Sequence, residues 1–221
     1  MNLLLANGPS FQDAPVTFII LAITALVSIA AMDNNQLKSR LIFNTYAIKH
    51  YGQWYRFFSH GLIHSNWIHF GLNAYVFYSF GSIVELFYTY NFGLLWGKIF
   101  FVLLYVLGLA VASIYSYYRH INNPSYNALG ASGAVSGIVF ASILFNPLGE
   151  IGIIFLPFFS LPAVVMGLLY LAYSGYKSQK NDDNIGHDAH YWGSIWGFLF
   201  TVALDYELLF GFFGKIGSLF G

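Results

Sequence analysis

A serine between glycines, in Gly130-Ala131-Ser132-Gly133, is the residue of this sequence best suited to covalent chemistry. It opens a short apolar run that ends before Asn146-Pro147. The first backbone N–H groups of a helix are unpaired, so a serine at a helix start can act as a nucleophile with an oxyanion held beside it. The same small residues can instead serve only to let two helices pack closely. This stretch alone leaves both interpretations open.

Two further groups of polar residues could assist such a serine. The first leads into another apolar run and contains His60, His64, His69 and Asn73. His69 and Asn73 are four residues apart and therefore share one helix face. The second group is His190 followed at helical spacing by Gly193 and Gly197. Polar side chains within membrane helices are costly and by default indicate function.

Small residues on both runs predict how the serine could meet a histidine. Gly133, Gly137 and Ala141 form a narrow ridge behind Ser132. This ridge can pack against the glycine face that follows His190, because glycines let two helix backbones approach closely. Close approach would allow the two side chains to reach hydrogen-bond distance, about 2.6–3.2 Å.

The composition predicts a membrane protein. Of the 221 residues, 57% are hydrophobic, 20% are aromatic and 8% are charged, and the mean hydropathy is +0.62. A soluble domain carries about 25% charged residues, so these charges are too few to cover a soluble surface. Apolar runs close to the ~20 residues that cross a bilayer recur along the chain. We therefore predict an all-α integral membrane protein with several spans in one domain.

Several classes of partner and chemistry are disfavoured. The net charge is zero, so no basic surface indicates nucleic acid. The absence of cysteine excludes disulfides, thiolate metal sites and a cysteine nucleophile. Neutral imidazole is a common metal ligand, but His64 and His69 are spaced poorly for one helix face and no carboxylate lies between them. We expect no metal and no cofactor, and we expect His60 to close hydrogen bonds in its loop.

Six spans are expected, and their approximate ranges are 15–32, 66–88, 93–117, 131–145, 162–176 and 189–213. Tails at 1–14 and 214–221 flank a single domain at 15–213. The N-terminus lacks the basic residues of a cleaved signal peptide, so the first span is expected to direct insertion and to remain. The polar connection at 33–65 is expected to hold short elements at the membrane interface, because it is rich in aromatic residues. An apolar stretch at 151–160 is interrupted by Pro157.

The fourth span is too short to cross a bilayer completely. Its roughly 15 residues cover about 22 Å of a hydrocarbon core about 30 Å thick. Unpaired backbone at that depth is stable only where it lines an enclosed or water-filled cavity. Ser132 is therefore expected at the floor of a polar cavity below the membrane surface.

Taken together, the motifs resemble those of the rhomboid intramembrane serine proteases. The G-x-S-G on a short fourth span, the His-x2-Gly-x3-Gly on the sixth and the His-x3-His-x4-His-x3-Asn at the second occur in the family order. Tyr55-Arg56 is similar to the Trp-Arg pair of the family, and Glu85 fits its acidic residue near the far end of the second span. The likeness extends over about residues 15–213. It implies a six-transmembrane-helix rhomboid-like bundle with a short, recessed fourth helix.

The resemblance implies a serine endopeptidase that acts by a dyad without a third carboxylate. Ser132 would be the nucleophile and His190 its general base and acid. The side chains of His69 and Asn73, with the backbone N–H of Ser132, would stabilise the oxyanion. His64 and Ser59 would help to position or relay water. The supporting glycines would be Gly130, Gly133, Gly193 and Gly197.

One position departs from the family pattern. In well-studied members an aromatic residue one turn after the nucleophile stacks on the catalytic histidine, whereas Ser136 stands there in this chain. Other packing must then orient the His190 ring, and the sequence does not name it. Asp188 is expected to cap the sixth span rather than to complete a triad. Glu85 is expected to be a hydrogen-bond acceptor at a helix end.

The resemblance also implies a multi-pass protein of a bacterial cell membrane whose substrates are transmembrane proteins. A bound segment must unwind, because an intact helix has every backbone group paired, so small or helix-breaking residues are expected near the cleaved bond. Substrate is expected to enter the site laterally from the membrane, past the fifth span. Apart from substrates, the bilayer is the expected partner, with no nucleic acid and no metal.

The distribution of basic residues conflicts with the orientation that the family implies. The loops on the Ser132 side hold Lys38, Arg40, Lys49, Arg56, Arg119, Lys177 and Lys180, whereas the other side holds Lys98 and Lys215. The positive-inside rule would place the mouth of the active site in the cytoplasm. The family places it on the extracytoplasmic side, and we follow the family because only nine basic residues are available.

Two other functions are compatible with parts of the pattern. A catalytically inactive rhomboid-like protein could bind membrane clients, although the intact Ser132 and His190 argue against it. A channel or transporter could use the intramembrane histidines and Asn73 as its pathway.

Overall fold

The computed structural model describes residues 9–153, 156–180 and 185–218, and this part of the chain is mostly helical. The helices in chain order are α1 (Pro15–Met32), α2 (Asn35–Leu41), α3 (Thr45–Tyr51), α4 (Arg56–Ser59), α5 (Trp67–Val76), α6 (Ser82–Phe92), α7 (Leu94–His120), α8 (Ser132–Phe145), α9 (Ala163–Lys180), α10 (His187–Leu204) and α11 (Glu207–Gly217). Most of the predicted N-terminal tail, the last three residues and the charged centre of the predicted 177–188 loop lie outside the described residues.

The apolar helices identify an integral membrane protein. In the described part of the chain α1 and α7 are each long and apolar enough to cross a membrane, and α10 with α11 adds a third candidate if the bent pair forms one span. The outer side of α1 exposes large apolar side chains such as Ile23 and Leu26. Exposed apolar surface of this extent marks contact with lipid or with another protein. The helix α8 is apolar but shorter.

The predicted second span is one continuous helix with an irregular centre. The helices α5 and α6, of 10 and 11 residues, are joined by a π-helical segment at Phe77–Gly81. A π-helical turn contains an extra residue, so it changes the rotation of everything that follows it. The two ends of this helix consequently present different faces to the bundle.

Glu85 is a helix-end acceptor, as predicted, but the helix it serves is α1. Its carboxylate accepts from the backbone N–H groups of Val16 and Thr17, at 3.0 and 2.7 Å, and from the Thr17 hydroxyl at 2.9 Å. The residue before α1, Ala14, offers no capping side chain. A buried carboxylate from α6 therefore supplies the cap and complements the positive end of the α1 dipole.

The sixth span predicted at 189–213 consists of two helices with a bend between them, which the sequence did not indicate. The helix α10 ends at Leu204, and α11 leaves it at an angle of 113°. Asp205 causes the break because its carboxylate accepts from the backbone N–H of Glu207 at 3.0 Å, which begins the next helix.

Two short antiparallel ladders add strands that an all-α prediction did not include. Strand β1 (Phe43–Asn44) pairs with β2 (Asn127–Ala128), and β3 (Glu150–Ile153) pairs with β4 (Leu156–Pro162). The second pair occupies the apolar stretch interrupted by Pro157, where branched and aromatic residues favour an extended backbone. The first pair ties the 33–65 connection to the loop that leads into α8.

The 33–65 connection contains short helices, as expected, and Arg56 fixes their arrangement. The guanidinium of this buried side chain donates to the carbonyl oxygens of Ser39 and Ile42 and to the side chain of Gln53. Aromatic and aliphatic packing beneath it involves Phe43, Ile48, Phe57 and Tyr117. The connection is therefore a packed layer rather than a loose loop.

The helix α8 lies at the centre of the bundle. Nearly all of its residues from Gly133 to Leu144 are buried, among side chains of the second-span helix, α7, α9, α10 and α11. A short apolar helix enclosed by longer ones needs no complementary polar face. Its N-terminus lies next to the 33–65 layer, since the N–H of Gly130, two residues before α8, donates to the carbonyl of His60 at 2.9 Å.

Candidate active site

Ser132 and His190 meet at the N-terminal ends of two helices. Ser132 is the first residue of α8, and His190 lies in the first turn of α10. The serine Oγ is 2.8 Å from the histidine Nε2. For Nε2 to accept the serine proton, the neutral imidazole must carry its own hydrogen on Nδ1. The pair therefore has the geometry of a nucleophile and its base.

Glycines bring the two helices together. A Cβ on Gly137 would lie 2.8 Å from the Gly193 carbonyl oxygen, and one on Gly193 or Gly197 would overlap the backbone of α8. These contacts join the two small-residue faces that the sequence predicts to pack. The distance between Ser132 and His190 is consequently set by backbone contact.

The backbone turn before Ser132 requires glycine. Gly130 has φ of 109°, a left-handed conformation that side chains disfavour. Ala131 follows as the N-cap, so the backbone N–H of Ser132 is among the first groups of α8 that no helical carbonyl reaches. Unpaired N–H groups at this end, with the helix dipole, favour a negative charge beside Ser132.

His69 lies against that turn. A Cβ on Gly130 would lie 2.7 Å from Cε1 and 2.9 Å from Nε2 of the His69 ring. On the other side of the ring, Nδ1 is 3.0 Å from the Ser65 hydroxyl. The absence of a side chain at Gly130 therefore allows the Nε2 edge of His69 to approach the start of α8.

Asn73 follows one turn later on the same helix. Its Nδ2 donates to the His69 carbonyl at 2.9 Å, which leaves the second amide hydrogen available. The side chain lines a small cavity of about 10 Å³ together with His64 and Ala131. This volume corresponds to a single water molecule.

The tautomer of His64 follows from its neighbour. The Ser28 hydroxyl donates its one proton to the Leu62 carbonyl at 2.8 Å, so it accepts from His64 Nδ1 at 2.9 Å. His64 Nε2 is then an acceptor, buried and without a hydrogen-bond partner among the described residues. Burial, with a smaller effect of the nearby His69, lowers the pKa of His64 to about 4. The ring is therefore neutral and aims a lone pair into the small cavity.

His60 and Asp188 have structural contacts. His60 Nε2 is 3.2 Å from the Ser113 hydroxyl, and burial lowers the pKa of this histidine to about 4. The Asp188 carboxylate accepts from the Ser116 hydroxyl and from the backbone N–H of Ala189. The expected N-cap role of Asp188 is wrong, because Gly186 precedes α10 and Asp188 lies in its first turn.

Sequence reasoning missed Tyr170. Its ring lies parallel to that of His190, with 6.1 Å between the centroids and 25° between the planes. Its hydroxyl is 2.7 Å from the Ser136 Oγ. A buried serine at the position of an expected aromatic residue was the available signal, since a buried hydroxyl requires a partner. The sequence separation of 34 residues concealed which side chain provides it.

A metal centre is not indicated by the residues described. No group of three or more His, Cys, Asp or Glu side chains within them is close enough to hold a metal ion. The rings of His64 and His69 are nearly perpendicular, with centroids 5.0 Å apart. Their Nδ1 atoms are already hydrogen-bonded to the hydroxyls of Ser28 and Ser65.

The fold and site together define a helical membrane protein with a half-buried Ser–His pair at the start of a central short helix. Residues 51–207 match the family model of the Rhomboid domain, and the chain belongs to the rhomboid family. This confirms the resemblance carried by the motifs. The family consists of intramembrane serine proteases and of relatives without activity. A search of curated proteins gave no significant match.

Proposed function

We propose that this protein is an intramembrane serine endopeptidase that hydrolyses peptide bonds in or near transmembrane segments. The observation that carries the proposal is the 2.8 Å contact between Ser132 Oγ and His190 Nε2 at the start of α8. Neither a packing role for the serine nor a solvated histidine requires this contact. Membership in the rhomboid family supports the same reaction.

The first half of the reaction forms an acyl-enzyme. His190 Nε2 takes the proton of Ser132 as Oγ attacks the substrate carbonyl carbon, which gives a tetrahedral oxyanion. When the C–N bond breaks, the same proton passes from Nε2 to the leaving amine. The acyl group stays on Ser132 as an ester, and His190 returns to its neutral form.

Three donors are proposed to stabilise the oxyanion. The backbone N–H of Ser132 belongs to the unpaired start of α8. The Nε2 edge of His69 adjoins the same turn, and Asn73 has one amide hydrogen left. Donors that are fixed before the reaction stabilise the transition state without reorganising during it.

The second half of the reaction requires water. We propose that His64 Nε2 accepts a hydrogen bond from a water in the cavity it shares with Asn73, and that this water supplies the site. His190 takes a proton from the attacking water, the ester C–O bond breaks, and the proton returns to Ser132. A carboxylic acid and the free serine result.

Six spans are proposed, with the second-span helix and α9 crossing in addition to α1, α7, α8 and α10. The proposed orientation places the Ser132 end on the extracytoplasmic side of a bacterial cell membrane. Arg56 contributes little to the opposing positive-inside count, because it is buried and bonded to three acceptors. A reporter fused after Gly221 should be active in the cytoplasm, and an extracytoplasmic signal would reverse the orientation.

Cleavage of a single-span substrate in detergent tests the activity. Wild type and Ser142→Ala should cleave, since Ser142 is a buried serine of the same helix that bonds only to the Val139 carbonyl in the contacts described. Ser132→Ala and His190→Ala should reduce cleavage to background. Undiminished cleavage by Ser132→Ala would refute the proposal. Failure of wild type to cleave or to react with a fluorophosphonate, while membrane proteins still co-purify, would favour an inactive client-binding protein.

The substrate requirement is tested with paired substrates. A segment with glycine or proline near the cleaved bond should be cut faster than the same segment with leucine and alanine, because the broken helix costs less to unwind. Substrate is proposed to pass between α9 and its neighbours. Equal rates for the two segments would show that unwinding is not limiting.

A further inference from the structure

A tyrosine on α9 is the aromatic neighbour of His190. The rings of Tyr170 and His190 have centroids 6.1 Å apart and planes 25° from parallel. Aromatic pairs interact favourably when their centroids are about 4.5–7 Å apart. The Tyr170 ring therefore limits rotation of the imidazole from one side.

Ser136 determines where that ring can lie. It is buried on α8, one turn after Ser132, and its Oγ is 2.7 Å from the Tyr170 hydroxyl. A buried hydroxyl without a partner is unfavourable, so this one bond satisfies both residues. The small size of serine also leaves the volume beside His190 that the tyrosine ring fills.

The approach of α9 to α8 depends on a second small residue. A Cβ on Gly167 would lie 2.9 Å from Ile143 Cδ1 and 3.4 Å from Phe140 Cζ. Gly167 precedes Tyr170 by three residues and lies on the same helix face. Close docking at Gly167 therefore carries the Tyr170 ring to the site.

A second chain of ring contacts reaches His190 from α9. The His187 ring lies edge-on to His190 with centroids 5.9 Å apart, and Tyr173 lies edge-on to His187 at 5.5 Å. Because Tyr170 and Tyr173 are three residues apart, one face of α9 contacts His190 both directly and through His187. The orientation of His190 thus depends on the position of α9.

We propose that Tyr170 is a positioning residue for His190, anchored by Ser136, and that the Ser132–His190 pair is assembled only when α9 is docked. This inference rests on the proposed proteolytic function. Since α9 is also the helix that substrate is proposed to pass, moving it aside would withdraw Tyr170 and loosen the dyad. Hydrolysis would then follow the return of α9.

Kinetics of four variants test the proposal. Tyr170→Leu should lower kcat about tenfold to a hundredfold with little change in KM, because small misplacements of a base are costly. Tyr170→Phe keeps the ring but loses its bond to Ser136, so it should lower kcat less than Tyr170→Leu does, by about twofold to tenfold, which is the usual effect of one hydrogen bond. Tyr176→Leu, an exposed tyrosine of the same helix, is the matched control. The double variant Tyr170→Leu/Ser136→Phe should recover activity relative to Tyr170→Leu, because the phenylalanine at position 136 would place an aromatic ring beside His190 from α8 instead of α9.

The outcomes separate positioning from general stability. A folded Tyr170→Leu with wild-type kcat would overturn the proposal, and so would a loss in kcat that the double variant fails to recover. A shift of the acidic limb of the pH–kcat profile in Tyr170→Leu, with no shift in Tyr176→Leu, would support the positioning role.

A spectroscopic measurement keeps the inference independent of proteolysis. The Cε1–H resonance of His190 in histidine-labelled protein, assigned with His190→Gln, should move in Tyr170→Leu and not in Tyr176→Leu. If wild type lacks proteolytic activity, the proposed function fails, but this shift still shows whether Tyr170 contacts His190. An unmoved resonance would overturn the positioning role even in an active enzyme.

Discussion

Gly193 faces the carbonyl of Gly133 so closely that a methyl group on Gly193 would overlap that oxygen. The contact lies one residue after Ser132 on α8 and one turn after His190 on α10. It therefore holds the two side chains together without depending on their rotamers. Backbone contact of this kind is stiff, because neither partner can change its conformation to make room.

Gly193→Ala should reduce cleavage by tenfold or more, because the added methyl separates α8 from α10. It should also destabilise the protein by about 1–3 kcal/mol, as overpacking does. Gly211→Ala is the matched control, since a Cβ there meets nothing within 4 Å. Cleavage rates and thermal unfolding in detergent measure both effects. Full activity in Gly193→Ala would show that the helices can separate without cost to the dyad.

Asn73→Ala should lower kcat roughly tenfold to a thousandfold, and the upper end is typical of the removal of an oxyanion donor. Asn91→Ala is a suitable control on the same continuous helix. Its Nδ2 donates to the Phe87 carbonyl at 2.8 Å, as Asn73 does to His69 at 2.9 Å, but it lies at the far, exposed end. Equal kinetics for the two variants would remove Asn73 from the proposed oxyanion site.

Glu85→Gln should lower the free energy of unfolding by about 1–3 kcal/mol, because an amide replaces a buried carboxylate that accepts three hydrogen bonds. The activity of the folded fraction should remain near that of wild type, since Glu85 lies away from Ser132. The exposed Glu207→Gln provides the comparison. Chemical unfolding monitored by tryptophan fluorescence measures the change, and equal stability of the two variants would contradict the capping role.

Stability should fall as the pH is lowered from about 6.5 to about 4. His60 and His64 have folded pKa values near 4, below the ordinary histidine value of 6.5, so the unfolded chain binds more protons in this interval. Each can contribute up to about 3 kcal/mol of this loss, which levels off below pH 4. Unfolding measured against pH should show a shallower slope in His64→Gln. His50→Gln, at an exposed position, is the control, and matching slopes in the two variants would refute the assignment.

Local motifs in the sequence contained much of the candidate site, because many of its residues lie only three or four positions apart on one helix. His69 and Asn73 share a face by helical periodicity alone, and the glycines after His190 predict its close packing against α8. The boundaries of α1 at Pro15 and Met32 could likewise be obtained from hydropathy and from proline at the first helical position.

The remaining features depend on contacts between distant segments. Nothing near Ser136 indicates that Tyr170 fills the adjacent volume, because the two residues belong to different helices. The bend at Asp205 was missed because the apolar residues on either side of it continue the hydropathy of a span. The strands at 150–162 were missed because a short apolar run fits a strand and a buried helix equally well.

The π-helical segment at Phe77–Gly81 sets the rotation between the two ends of the second-span helix. His69 and Asn73 lie before the segment, and Glu85 lies after it. If the same residues formed a regular α-helix, one end would be turned against the other by about 100°. Either the proposed oxyanion donors, His69 and Asn73, would leave α8 or Glu85 would leave the start of α1. The segment therefore keeps both ends of the helix in register with their partners.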